Sequence, residues 1–114
     1  MPDTPYLGEL EELTLLALLR REGNANGSDL REELARQAER RVSPSTVYLT
    51  LMRLEEKGLC QSWIAEHEPV PGGKGRRRYR ILPAGVEALQ RSREIRSRMW
   101  AGFDALAKRA LGRG

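Results

Sequence analysis

Cysteine and histidine are almost absent from this chain. One cysteine, Cys60, in 114 residues excludes an internal disulfide and points to a reducing, cytoplasmic setting. One histidine, His67, cannot join that cysteine in a structural zinc site of the usual kind. Neither a metal nor a cofactor is therefore expected. Long apolar runs are missing too. The densest, residues 13–19, is far shorter than a membrane span, so no membrane partner is expected. The opening MPDTPYLGELEEL has no basic segment followed by an apolar one, unlike a secretory signal. GGKGRR lacks the spacing and the Ser or Thr of a phosphate-binding nucleotide loop. Glu11, Glu12, Glu55 and Glu56 read as helix-surface acids, not as a catalytic carboxylate pair. With no nucleophile, base or metal set converging, the chain is not expected to be an enzyme.

Acidic residues are scarce in one part of the chain. Residues 1–68 hold 8 basic and 13 acidic side chains, whereas residues 69–114 hold 12 basic and 3 acidic. That asymmetry suits a polyanionic partner such as double-stranded DNA. Hydrophobic residues make up 39% of the sequence, enough to argue for a folded chain. A domain this small has a modest core and gains from dimerisation.

The patterning gives a mainly α chain with one small β-hairpin. Residues 7–21 read as a helix that is apolar over most of its girth and therefore central to the core. A break at residues 23–27 precedes a second helix at 29–39, with Ser28 as its cap. In SPSTVYLTLMRLEEKG, Ser43 can cap a third helix and Pro44 suits its first position, with Gly58 stopping it. Val47, Leu51 and Leu54 share an inward stripe, and Ser45, Thr46, Leu49, Thr50 and Arg53 are expected elsewhere on the surface. Strands follow at 59–66 and 77–82, joined by a glycine-rich and proline-rich tip. A last helix, residues 84–111, carries one continuous apolar stripe more than seven turns long. The domain cannot cover all of it, so a second copy is the simplest partner. Gly102 interrupts it, as a weak point, a close approach or a kink.

Helix, helix, capped helix, hairpin is the order of a winged helix-turn-helix. The outer face of the third helix fits a major groove, and the basic tip fits phosphates or the neighbouring minor groove. The stretches LGELEELTLLALL, VSPSTVYLTLMRLEEKGL and GGKGRRRYRILPAGVEAL resemble the PadR family of transcriptional regulators over nearly the whole chain. The resemblance implies a winged helix-turn-helix over residues 1–83 and a C-terminal dimerisation helix over 84–114. It also implies a ligand-responsive repressor acting as a homodimer on an inverted-repeat operator. The recognition helix would contribute Ser43, Ser45, Thr46, Tyr48 and Arg53, to which the outward-face reading adds Thr50. The wing would contribute Gly73, Lys74, Arg76 and Arg77. The dimer interface would use Leu89, Ile95, Met99, Phe103 and Leu106, with Trp100 in the same helix open to two roles, packing in the dimer or contact with a small-molecule effector. Two departures stand out: NANGSDL lacks the tyrosine common before glycine at the second helix, and Leu49 replaces a proline common after Tyr48. The alternative is a winged-helix protein-interaction module without specific DNA binding. Cys60 is expected as a buried small hydrophobe.

Overall fold

The computed structural model describes residues 6–65 and 76–113, with Arg76 described in its backbone alone. Helix α1 (Glu9–Arg20) starts where the Gly8 N–H donates to Glu11 Oε1 at 2.8 Å, and three glutamates in its first turn face the positive end of the helix dipole. Leu15, Ala17 and Leu18 are buried, while Leu16 and Leu19 are exposed, so the helix is less central than its girth suggests. Gly23 then takes φ +80 and turns the chain into β1 (Asn24–Asn26), a strand absent from the sequence reading.

Helix α2 (Gly27–Ala38) is capped by Asn26, not by Ser28. The Asn26 side chain accepts from the Asp29 N–H at 2.8 Å and the Asp29 carboxylate accepts from the Asn26 N–H at 3.2 Å, a reciprocal box. Helix α3 (Pro44–Glu56) begins as its sequence dictates: Ser43 Oγ accepts from the Thr46 N–H and Pro44 stands at the first helical position. Lys57 closes it, and Gly58 at φ +76 turns the chain away. Strands β2 (Cys60–Ala65) and β3 (Arg76–Ile81) pair antiparallel, and β1 joins the other edge of β3, giving the order β1-β3-β2. The expected two-stranded hairpin is thus a three-stranded sheet.

Leu15, Leu18, Leu30, Leu34, Val47, Leu51, Leu54 and Leu59 fill the core between α1, α2, α3 and the sheet. Each such side chain contributes on the order of 1.5–3 kcal/mol through burial. A buried carboxylate of α2 supplements them. Glu33 of α2 is 5% exposed and accepts from Arg20 at 2.9 Å and from Arg21 and Arg36 at 3.1 Å. The Arg20 hydrogen bond, joined by those of Arg21 and Arg36, outweighs burial and holds the Glu33 carboxyl below its ordinary pKa.

The expected single C-terminal helix is two. Helix α4 (Pro83–Trp100) ends at Ala101, whose extended ψ of 131 leaves the helical region, and Gly102 follows at φ +76. Helix α5 (Phe103–Gly112) then starts in a new direction. Glycine tolerates this left-handed backbone, and other residues resist it. Helix α4 is anchored at its start by Gly85. A Cβ there would lie 2.4 Å from the Leu59 carbonyl oxygen and 2.8 Å from Ile81 Cγ1. Farther along, Glu12 of α1 accepts from Ser92 Oγ at 2.5 Å and from Arg96 Nε at 3.0 Å.

Candidate nucleic-acid interface

Helix α3 supplies the site, because its inner stripe is used up by the core. Val47, Leu51 and Leu54 face inward as their spacing requires. Thr50 joins them. It is 2% exposed, and its hydroxyl donates to the Thr46 carbonyl at 2.8 Å. The expectation that Thr50 meets a partner is corrected: position 50 sits three residues from Val47 and four from Leu54, on the buried stripe. The outward side carries Ser45, Tyr48 (49% exposed), Leu49, Met52 and Arg53. At the N-terminus, Ser43 Oγ donates to Thr46 Oγ1 at 2.9 Å and lies 3.1 Å from Ser45 Oγ. Three hydroxyls are thereby gathered at the end of α3 where the dipole is positive.

The base of α3 is fixed against α1. Lys57 Nζ donates to Glu11 Oε1 at 2.7 Å and to the Tyr6 carbonyl at 2.8 Å. Burial pushes the Glu11 carboxyl up. The Lys57 and Gly8 hydrogen bonds, with the charges of Lys57 and Arg53, together outweigh it and leave the pKa lowered.

Strand alternation sorts the basic run of the wing onto two faces. Cys60, Ser62 and Ile64 pair with Ile81, Tyr79 and Arg77 on the face toward α3. Gln61 and Trp63 pair with Arg80 and Arg78 on the other. Arg80 donates to Gln61 Oε1 at 2.7 and 3.1 Å, and Arg78 donates to Asn24 Oδ1 at 2.9 Å. Among the described arginines of β3, only Arg77 looks toward α3. It lines a groove of about 400 Å³ with Ser28, Arg31, Pro44 and Tyr48. Arg31 escaped the sequence reading, since one arginine on an amphipathic helix carries no local signal. Gly73 and Lys74 lie outside the described residues, and Arg76 is placed only by its pairing with Ala65.

Burial of Tyr79 raises its pKa, and burial pushes the Cys60 thiol up to about 12. A thiol so placed is a packing group, as expected from its sequence setting.

The residues assigned to a dimer divide. Leu89 is 8% exposed inside its own domain, so its assignment to a partner is corrected: the helix repeat that aligns it with Met99 also turns it onto α1 and the sheet. Ile95, Met99, Phe103 and Leu106 are exposed, and Leu111 with them. Trp100 is 61% exposed, its ring 4.8 Å from that of Phe103 at 60°. With Leu16, Leu19, Val86 and Arg93 it lines a groove of about 510 Å³ between α1 and α4. Among the described residues, no cluster of His, Cys, Asp and Glu could hold a metal, and no helix is long and apolar enough to cross a membrane.

Three helices, a capped and outward-facing α3, and a three-stranded sheet with a hairpin wing define a winged-helix domain, here extended by two C-terminal helices. Residues 15–91 match the transcriptional regulator PadR-like family, and the chain belongs to it. Transcriptional regulator Rv3488 of Mycobacterium tuberculosis is 38% identical over 91 residues, covering 80% of this chain and 74% of that protein. A PadR family transcriptional regulator from Eggerthella lenta superposes with a TM-score of 0.59 at 28% identity, over 88% of this chain and 84% of the other. A winged-helix DNA-binding protein from STIV shares the fold at 13% identity, with a TM-score of 0.65 over 86% of this chain and 98% of that one. The protein is a transcriptional regulator, not an enzyme.

Proposed function

We propose that this DNA-binding regulator acts as a homodimeric repressor that reads an inverted repeat. The observation that carries the reading is the outer side of α3, exposed beside the α3-facing Arg77. Ser45, Thr46, Tyr48 and Arg53 meet base edges or adjoining phosphates, with Ser43 holding the helix end. Gly73, Lys74, Arg76 and Arg77 serve the phosphates from the wing. The groove beside Ser28 and the start of α2 suits a backbone phosphate.

Ile95, Met99, Phe103 and Leu106 of α4 and α5 bury against a second copy, which sets the two α3 helices one helical turn or a multiple apart. A small molecule near Trp100 would regulate by preferring one spacing of the pair. Residues 1–83 form the DNA-binding unit in this reading, and residues 84–114 the dimerisation unit. Selection of binding sites from a random duplex pool tests it, with an enriched palindrome as the expected result. A pool with no enrichment would favour docking of a partner protein on the same face, where exposed Leu49 and Met52 offer apolar contact.

A further inference from the structure

Arg77 is not a free side chain at the wing. Its Nη1 donates to Ser62 Oγ at 2.9 Å. The Ser62 hydroxyl has one proton, and that proton is committed. Oγ lies 2.9 Å from Oε1 and 3.1 Å from Oε2 of Glu55, and Oε2 also accepts the Ser62 N–H at 3.2 Å. A carboxylate can only accept, so Ser62 donates to Glu55 and must accept from Arg77. The polarity of the relay is fixed, and it runs from the last turn of α3 through β2 to β3.

We propose that Glu55 and Ser62 are positioning residues that hold Arg77 in the groove beside Tyr48 and Arg31, so that wing and recognition helix grip one stretch of DNA backbone as a unit. The proposal rests on the DNA-binding reading above. Arginine carries large rotamer freedom, and losing it on contact weakens binding. Holding the side chain in the folded protein removes that loss from the binding step. The guanidinium has five N–H donors, and the bond to Ser62 occupies one of them. Charge alone argues the other way, since a carboxylate near the wing should repel phosphate. The two accounts therefore differ in sign for Glu55.

Phosphate contacts are independent of sequence, so a short duplex of arbitrary sequence serves as the probe. Fluorescence anisotropy would compare the wild type with Ser62→Ala, Arg77→Ala, the double variant, Ser62→Thr and Glu55→Ala, each checked for folding by its thermal midpoint. Arg77→Ala should lower the log–log salt slope by about 0.9 per protomer. Ser62→Ala should weaken binding by about threefold to tenfold when Arg77 is present and not at all when it is absent, because coupled residues are non-additive. Ser62→Thr should restore the affinity, and Glu55→Ala should weaken it. A silent Ser62→Ala, an effect of equal size in the Arg77→Ala background, or tighter binding by Glu55→Ala would each overturn the proposal while leaving the DNA reading intact. Failure of the wild type to bind any duplex would overturn both.

Discussion

Single residues show where polarity misleads and where charge decides. Thr50 is polar, yet it lies on the stripe of Val47 and Leu54 and satisfies its hydroxyl on the Thr46 carbonyl. Its periodicity was legible, but its residue type argued against burial. Thr50→Val should cost about 1 kcal/mol of stability in denaturant unfolding. The same variant should leave duplex affinity unchanged. Glu33 is a buried acid kept charged by Arg20, Arg21 and Arg36. Its folded pKa lies below the ordinary 4.5, so its contribution to stability is complete above that value and is lost as pH falls through the folded pKa. Glu33→Gln should therefore be less stable than wild type at neutral pH. Its thermal midpoint should also fall less steeply between about pH 5 and about pH 3.

At the level of elements, local signals were sufficient wherever the competing options were local. Ser43 and Pro44 define the start of α3 without help from the rest of the chain. In NANGSDL two caps compete, and Asn26 wins over Ser28. The deciding contact is the pairing of Asn24 and Asn26 with Arg80 and Arg78, more than fifty residues away. No window around β1 contains that information. Gly85 makes the same point for α4. It reads as an ordinary small residue in a helix, but the Leu59 carbonyl passes where a Cβ would stand. Gly85→Ala should push α4 off the sheet and cost about 3 kcal/mol or more. A thermal scan should show a drop of about 10 °C or more.

Across the whole molecule, the unspent apolar surface lies at the C-terminal end. Met99, Trp100, Phe103, Leu106 and Leu111 are exposed together on α4 and α5, whereas Leu89 is consumed by the domain that carries it. In the proposed dimer, Phe103→Asp should dissociate the protein in sedimentation velocity. It should also reduce affinity for an inverted repeat by about 10²-fold, as two linked contacts become one. The thermal midpoint at low protein concentration should change little, because Phe103 lies outside the core. Leu89→Asp should instead abolish folding, which separates the two ends of the same stripe.

Local residue patterns were enough to set the order of helices, the cap of α3, the inward stripe of Val47, Leu51 and Leu54, and the basic hairpin. These depend on neighbours within a turn or two, or on strict alternation along a strand. Long-range packing made β1 complete the sheet and placed Leu89 in the core. It also tied Arg77 to α3 through Ser62 and Glu55. Each of those outcomes turns on which distant segment packs alongside, and packing is fixed only when the whole chain closes around its core.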